Sequence, residues 1–347
     1  MTLDQYIQKV PKVELHVHLE GSMPPATLLA LAQKHQITLP ANTLEEVKAW
    51  YKFTDFPHFA EIYMLISRCL QTPEDIEQLA FDFLANQASQ NILYSEVTYT
   101  AYTHYRQKGI SFKDQLAALN RARQRAEAQF GVTMRYIIDI PREWVTVDEA
   151  TITARWVAEA YQNLENGIVA IGLGGYEVGY DPSLFADSWA IAREAGVPLV
   201  LHAGETEGAD HIWSALRQGS VRIGHGVRCL EDPALVDYLR QHQIPLEVCP
   251  TSNVCLKVSP SLEEHPLPTL MKEGLYVTLN TDDPPMFGTT LIQELTKCAH
   301  LYHWDHDVVD QLILNAGKAV LLPALERFDL MNRLRTEMAS LRAQFAF

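Results

Sequence analysis

The segment KVELHVHLEG, residues 12–21, places two histidines two positions apart in an otherwise apolar, β-branched run. In a strand, side chains at i and i+2 leave the same face, so His16 and His18 project together. Two neutral imidazoles side by side pack poorly but ligate metal ions well. A single buried histidine is more often structural, so this pair indicates a metal site only if the chain supplies further ligands.

Seven more apolar, β-branched runs follow Val13–Leu19, and the stretches between them are apolar at helical spacing. These runs are Ile92–Tyr99, Met134–Ile140, Ile168–Leu173, Pro198–His202, Val221–Gly224, Pro245–Val248 and Leu275–Asn280. Eight βα units without a break in composition predict an α/β fold, a (β/α)8 TIM-type barrel formed as one domain by residues 1–347. A doubly wound open sheet is the alternative.

The connection after the first strand is unusually long, at about seventy residues, which is room for several helices. It contains the aromatic segment WYKFTDFPHFAEIY, residues 50–63. We expect an elaborated helical connection over the carboxyl-terminal face of the barrel, although aromatic packing of one helix on the barrel explains these residues equally well. LERFDLMNRLRTEMASLRAQFAF, residues 325–347, predicts a final amphipathic helix.

Composition excludes several classes of protein. A formal net charge of −15, from 28 Lys and Arg against 43 Asp and Glu, argues against binding to a nucleic-acid backbone. The five cysteines are scattered and none has CxxC spacing, so neither a disulfide framework nor a thiolate zinc site is indicated. No apolar run reaches the ~18 residues of a membrane span, and the N-terminus lacks a signal-peptide core. We expect a cytoplasmic protein with no nucleic-acid or membrane partner.

Ionisable residues recur where predicted strands end. His202 ends the fifth strand in LVLHAGE, with Glu205 three residues later, and His225 ends the sixth in VRIGHG. Asp282 and Asp283 follow the eighth strand in LNTDDPP. Because all strands of a (β/α)8 barrel open onto one rim at their carboxyl ends, we expect these side chains to meet the first two histidines there.

Three histidines and one carboxylate, with no cysteine, suit a zinc-class ion that keeps one position for water. Such an ion lowers the pKa of its water to about 7, so hydroxide is present at neutral pH. Glu205, His225 and Asp283 are then available to move protons and hold a substrate. Hydrolysis of a C–N bond needs this combination of a nucleophile, a base and an acid for the nitrogen.

Two other patterns look functional but fit simpler structures. In HLYHWDH, residues 300–306, three histidines at three-residue spacing would wind around a helix, and Asp305 and Asp307 are typical of a helix start. GLGGYEVG, residues 172–179, departs from the dinucleotide pattern GxGxxG at Glu177. Its glycines are better explained by close approach of a ligand to the backbone.

The motifs PKVELHVHLEG, LHAGE, RIGHG, EVCPTSN and LNTDDPPMFGT occur in this order. Across almost the full chain they resemble the adenosine deaminase family of metal-dependent barrels. The resemblance implies one zinc ion held by His16, His18, His202 and Asp282. It also implies a small-molecule purine nucleoside as the partner, deaminated hydrolytically to the 6-oxo purine nucleoside and ammonia.

The same resemblance implies roles for the remaining residues. Glu205 would protonate purine N1, and His225 would take the proton of the attacking water. Asp283 would orient that water and bond the five-membered ring of the purine. The backbone N–H of Gly175 would meet purine N3, and His18 would also face the substrate.

Substrate identity depends on Glu20 and on GLGGYE. Adenosine-specific members usually have HLDG, in which the Asp bonds the ribose 5′ hydroxyl, and DLAGDE; this chain has HLEG and GLGGYE. Relatives with HLEG include adenine deaminases, which tend to lack the double glycine. They also include deaminases of aminodeoxyfutalosine, a 5′-extended adenosine analogue with a carboxylate, and DDPPMFGT and WYKFTDFPHF resemble that branch. Arg106 or Arg142 would bind such a carboxylate, and adenosine, a 5′-modified adenosine and adenine all stay open.

Two other classes of function are weighed against a deaminase. Barrel hydrolases of amides or phosphoesters often hold two metals on a carboxylated lysine, but no lysine lies near the end of the fourth strand. A purine sensor derived from an enzyme would not need Glu205, His225 and Asp283, which this chain retains.

Overall fold

Eight parallel strands pair in chain order in the computed structural model, which describes residues 2–344. The strands are β1 Lys12–His18, β2 Ile92–Tyr99, β3 Thr133–Pro141, β4 Ile168–Gly174, β5 Leu199–Ala203, β6 Ser220–His225, β7 Leu246–Val248 and β8 Val277–Leu279. Each overlaps its predicted run. The predicted (β/α)8 barrel is confirmed, and the doubly wound sheet is wrong because the strand order never reverses.

The barrel closes from β8 back to β1 through residues of the predicted site. Asp282 N donates to His16 O at 3.0 Å, and His18 N donates to Asp282 O at 2.9 Å. Just before this bridge, the Asn280 side chain accepts a hydrogen bond from Leu15 N at 2.9 Å. Three predicted metal ligands are therefore held at fixed spacing by the backbone that closes the barrel.

Helices cover the outside of the barrel and the ends of its strands. They are α1 Leu3–Lys9, α2 Pro25–Lys34, α3 Leu44–Trp50, α4 Phe56–Cys69, α5 Pro73–Ser89, α6 Ala101–Lys108, α7 Phe112–Phe130, α8 Val147–Tyr161, α9 Ala186–Glu194, α10 Ala209–Gln218, α11 Pro233–His242, α12 Pro250–Cys255, α13 Leu267–Lys272, α14 Pro284–Phe287, α15 Leu291–Leu301, α16 His306–Ala319 and α17 Ala324–Gln344. Their starts follow local sequence: Thr72 caps α5 in a capping box, and Pro73 occupies its first turn.

The long first connection contains four helices, α2 to α5, after a short 3-10 turn at Glu20–Ser22. Its aromatic segment forms α4, where Phe59 stacks on Phe287 of the last βα connection with ring centroids 5.6 Å apart. Phe59 and Tyr63 line a cavity at the carboxyl-terminal ends of the strands. The predicted connection over that face is confirmed.

At the end of the chain, α17 buries Met331, Leu334 and Met338 while most of its other residues are exposed or half-exposed. The predicted final helix is confirmed as far as residue 344, but it is only weakly amphipathic, since Leu325 and Phe328 are exposed. The last three residues of that prediction, 345–347, lie outside the described part of the chain.

The histidines of HLYHWDH form no metal cluster within residues 2–344. Asp305 caps α16 instead, accepting hydrogen bonds from the backbone of Asp307 at 2.9 Å and Val308 at 3.0 Å. His300 pairs with Asp4 at 2.7 Å. All five cysteines are free thiols, and none of the helices within residues 2–344 combines the length and apolarity needed to cross a membrane.

Candidate active site

Four predicted ligands meet at the carboxyl-terminal rim of the barrel. The ligand atoms of His16, His18, His202 and Asp282 all lie within 4.8 Å of one another. His18 Nε2 is 3.2 Å from His202 Nε2 and 3.3 Å from Asp282 Oδ1. His16 Nε2 lies 3.5 Å from the same Asp282 oxygen. Residues as far apart in sequence as 16 and 282 thus present one compact set of donor atoms.

This donor set fits a zinc-class ion. The ligand atoms of His16, His18, His202 and Asp282 lie close together in a largely buried position, and three imidazoles with one carboxylate are typical zinc ligands. Burial lowers the pKa of His16, but hydrogen bonds with Asp282 and Glu247 outweigh it and raise that pKa to about 10. His16 therefore binds a proton in this site, and a bound cation would replace it.

A buried chain of charges supports the first ligand from inside the barrel. His16 Nδ1 lies 2.9 Å from Glu247 Oε2. Arg222 donates to Glu247 at 2.5 Å through Nε and to Glu96 at 2.5 Å through Nη1. A carboxylate at Nδ1 fixes the imidazole tautomer and leaves Nε2 facing the metal ligands. Sequence reasoning missed this chain, although a charged residue within each of the buried strands β2, β6 and β7 was a signal for pairing.

Glu247→Gln is expected to weaken metal binding by about 10- to 100-fold, because the carboxylate no longer fixes the His16 ring. Competition for zinc with a chromogenic chelator measures this change. Glu96→Gln is the matched control, since Glu96 bonds the same Arg222 but is separated from His16 by both Arg222 and Glu247. Equal losses in both variants would contradict a specific role for Glu247.

His225 and Glu205 lie beside the four ligands. His225 Nε2 is 3.6 Å from Glu205 Oε1 and 3.9 Å from Asp282 Oδ2. On the other side of the ring, the side-chain amide of Asn253 is 3.3 Å from His225 Nδ1. The Asn253 carbonyl is held in turn by His265 at 3.1 Å. The structure therefore brings together the two predicted proton-transfer groups and fixes the orientation of one.

Burial gives these groups complementary protonation states. It raises the pKa of Glu205 to about 8, with help from the charge of Asp282, and lowers the pKa of His225 to about 3, with help from His16. Burial and Asp282 raise the pKa of Asp283 well above its usual value. Burial also acts to raise the pKa of Asp282, but the hydrogen bond and charge of His16 hold it well below the usual range. At neutral pH the site thus contains a protonated carboxyl and a neutral imidazole, an acid and a base.

Glu177 organises the loop that carries Glu205. Its carboxylate accepts hydrogen bonds from four consecutive backbone N–H groups, residues 204–207, at 2.6 to 3.0 Å. Burial acts to raise its pKa, but the hydrogen bond with His211 and these backbone donors bring it down to about 2. In the sequence Glu177 served only to exclude a dinucleotide loop; in the structure it is a positioning residue.

Of the two residues predicted to determine substrate choice, Glu20 lies away from the cavity and Gly175 lies on its wall. Glu20 is fully buried and lies outside the lining of the cavity. Gly175 lies on the cavity wall and has a φ of +85°, a backbone conformation that favours glycine.

Neither arginine considered for a substrate carboxylate lies on the cavity wall. Arg142 is completely buried and donates to backbone carbonyls, including His202 O at 2.8 Å and Gly174 O at 3.1 Å. Arg106 donates to Trp144 O at 2.5 Å. Arg142 thus links the ends of neighbouring strands through hydrogen bonds to their backbone carbonyls. Arg106 bonds the backbone carbonyl of Trp144 at the protein surface.

The site opens into a cavity lined by both apolar and polar side chains, as small-molecule sites usually are. Its lining includes His18, His202 and Asp282 of the metal-ligand cluster together with Glu205, His225 and Asp283. The rest of the wall combines apolar side chains with polar ones: Phe56, Phe59, Tyr63, Met64, Trp144 and Leu256 with Thr100, Thr103, Asp139 and Glu143. Within residues 2–344, no lysine or arginine belongs to this lining.

The chain resembles known proteins along most of its length. The model of the adenosine deaminase family matches residues 11–337. An aminodeoxyfutalosine deaminase of Streptomyces avermitilis is 38% identical over 323 residues, 93% of this chain and 89% of the relative. An adenine deaminase of Wolinella succinogenes is 35% identical over 329 residues, 94% of this chain and 98% of the relative.

Among solved structures, the adenine deaminase from Arthrobacter aurescens has a TM-score of 0.88 and 30% sequence identity. That similarity covers 94% of this chain and 98% of the solved one. The barrel, the ligand cluster and these matches along nearly the whole chain lead to one conclusion. The chain belongs to the adenosine deaminase family, and it is a hydrolase that acts on C–N bonds.

Proposed function

We propose that one barrel domain of this chain removes the 6-amino group of a purine nucleoside, adenosine or a 5′-modified adenosine, by zinc-dependent hydrolysis. The observation that carries the proposal is the convergence of Glu205, His225 and Asp283 beside a three-histidine, one-carboxylate cluster at one end of a cavity. A binding protein would need the cavity but not an acid and a base placed together within it.

His16, His18, His202 and Asp282 would hold the ion, which when bound acts as a Lewis acid and lowers the pKa of a coordinated water to about 7. The proton of Glu205 would pass to purine N1, which makes C6 more electrophilic. Neutral His225 would accept a proton from the attacking water. Asp283 would orient that water and hold the five-membered ring. As the C6–N bond breaks, the proton taken up by His225 would pass to the departing amino group, which leaves as ammonia, and the hydroxyl proton on C6–O would return to Glu205 to leave the 6-oxo purine.

The nucleoside rather than the free base is favoured by the cavity. Besides Glu205 and Gly175, the lining includes the polar side chains of Thr100, Thr103, Asp139 and Glu143. A free base held at Glu205 and Gly175 would leave these polar groups without a partner on the ligand, whereas an attached sugar would supply hydroxyl groups to them. The relative from Streptomyces avermitilis, an aminodeoxyfutalosine deaminase, makes that 5′-extended nucleoside the second candidate. A carboxylate on it would meet no lysine or arginine on the lining, so plain adenosine is placed first.

The test is a spectrophotometric assay of purified protein whose bound metal has been measured. Conversion of the amino- to the oxo-purine is followed on adenosine, deoxyadenosine, adenine and aminodeoxyfutalosine. Turnover of a nucleoside with kcat/KM well above that of adenine is expected. A zinc-loaded protein that releases ammonia from none of the four would overturn the proposal, and one that prefers adenine would overturn its nucleoside part.

The expected pH dependence of kcat/KM follows from the protonation state of Glu205. Because only protonated Glu205 can deliver a proton, and its pKa lies at about 8, kcat/KM is expected to fall as the pH rises through 8. A bound cation would shift this fall in kcat/KM to lower pH, since positive charge favours the ionised carboxylate. Thermal unfolding measured over the same pH range separates this loss from loss of structure. A kcat/KM that keeps rising above pH 9 would exclude Glu205 as the essential acid.

A further inference from the structure

The carboxylate that the family resemblance assigns to the ribose is turned away from the cavity in this chain. Glu20 Oε1 accepts hydrogen bonds from His104 Nε2 at 2.9 Å and from Thr100 N at 3.1 Å. Tyr63 donates to Glu20 Oε2 at 3.3 Å. Both oxygens are therefore bonded within the protein. A sugar in the cavity must find its hydrogen-bond acceptors elsewhere.

Two other carboxylates line the cavity and have unused oxygens. Asp139, in β3, is 3% exposed, and its Oδ1 has no hydrogen-bond partner among the described residues. Glu143, just after β3, likewise has an unpartnered buried Oε2. A buried acceptor without a partner is costly. Asp139 and Glu143 also line the cavity, so a ligand in contact with their side chains would bring hydrogen-bond donors to these carboxylates.

The double glycine of GLGGYE makes room for both carboxylates. A Cβ on Gly174 would lie 2.5 Å from Asp139 Oδ2, and one on Gly175 would lie 2.7 Å from Glu143 Cδ. The carboxylates thus pack directly against the backbone of these glycines. If Gly175 meets purine N3, as the proposed function has it, they lie near the sugar, because N3 and the glycosidic N9 flank the same ring carbon.

The acidic residues on the cavity wall favour a ligand that donates hydrogen bonds and carries no negative charge. Carboxylates accept hydrogen bonds, and no lysine or arginine on the lining competes for them. Burial, together with the charge of Glu20, raises the pKa of Asp139 to about 7, and a donor from the ligand would favour its ionised form. Sugar hydroxyls supply such donors without adding a negative charge to an acidic wall.

We infer that Asp139 and Glu143 form the ribose subsite of this enzyme and accept hydrogen bonds from the sugar hydroxyls in place of Glu20. The inference rests on the proposed function, since it needs a nucleoside substrate. It makes Asp139 and Glu143 specificity-determining residues. Gly174 and Gly175 leave space for these two carboxylates because they have no Cβ.

The test combines the variants Asp139→Asn and Glu143→Gln with adenosine, its 2′-, 3′- and 5′-deoxy analogues, and adenine. Each variant is expected to lose about 10- to 100-fold in kcat/KM on adenosine, mainly through KM, since a charge-assisted hydrogen bond is weakened. The loss should shrink to about threefold or less on the analogue that lacks the bonded hydroxyl, as a double-mutant cycle requires. Asp187→Asn, an exposed aspartate of α9, should match wild type on every substrate.

The outcomes separate the subsite from the proposed function. Equal losses on adenosine, every deoxy analogue and adenine would show a general structural effect and overturn the subsite, while the deaminase proposal stands. Unchanged KM for adenosine in both variants, with metal content and melting temperature at wild-type values, would also overturn it. A wild-type enzyme that turns over adenine but no nucleoside would overturn the proposed substrate, and the subsite with it.

Discussion

Glu205→Gln is expected to lower kcat on a 6-aminopurine nucleoside by about 10²- to 10⁴-fold, while bound metal and melting temperature stay near wild-type values. General acid catalysis contributes a factor of this size, and glutamine keeps the shape of the side chain but has no carboxyl proton to give. The backbone at residue 205 is held by Glu177 in either case. Steady-state kinetics and metal analysis of the purified variant measure both parts of the prediction.

Glu207→Gln is the matched control, because Glu207 lies in the same loop and bonds Glu177 through its backbone N but does not line the cavity. Its kcat is expected to stay within about twofold of wild type. Full activity of Glu205→Gln would exclude Glu205 as the acid at purine N1. Loss of bound metal in that variant would instead make the effect structural.

Gly21→Ala is expected to reduce kcat/KM by about 100-fold, although residue 21 carries no functional group. A Cβ there would overlap the Asp283 carboxylate, lying 2.5 Å from its Cγ and 2.8 Å from its Cβ. Because the overlap reaches the Cβ of Asp283, rotation of the carboxylate alone does not relieve it, and the segment that also contains Asp282 must shift. Displacement of a catalytic group by about 1 Å commonly costs this much activity, and overpacking adds about 1–3 kcal/mol of destabilisation.

Gly208→Ala controls for the change from glycine to alanine, since a Cβ there meets only the ends of Glu231 and Arg228, 3.0 and 3.8 Å away. It should leave kcat/KM within about twofold of wild type. Zinc titration and kinetics of the two variants form the measurement. A Gly21→Ala enzyme with wild-type kcat/KM would mean that Asp283 has no fixed position in catalysis.

The sequence predicted the fold because its signals are local. Each buried strand is a short β-branched run bounded by turn residues, and parallel strands buried on both faces have this pattern. The ligand cluster was also predictable, because parallel strands in a barrel place their carboxyl ends on one rim. No long-range contact had to be known to bring His16, His202 and Asp282 together.

The supporting residues were not predictable in the same way. Glu247 and Glu177 look like an ordinary strand residue and an ordinary loop residue in the sequence, and their roles come from contacts with His16 and with residues 204–207. Arg142 follows a strand as Asp282 does, yet its guanidinium turns to backbone carbonyls. The direction and partners of a side chain depend on register and packing across the barrel, which periodicity does not specify.

The sequence by itself therefore determined the barrel, the rim on which its chemistry lies and the donor atoms for a metal, since strand order and strand ends follow from local pattern. Only the tertiary structure decided which acidic residues line the cavity. Glu20 lies next to the metal-ligand segment in sequence but is bonded to His104, 84 positions away. Asp139 and Glu143 line the cavity because Gly174 and Gly175, on the neighbouring strand and loop, have no Cβ to exclude them.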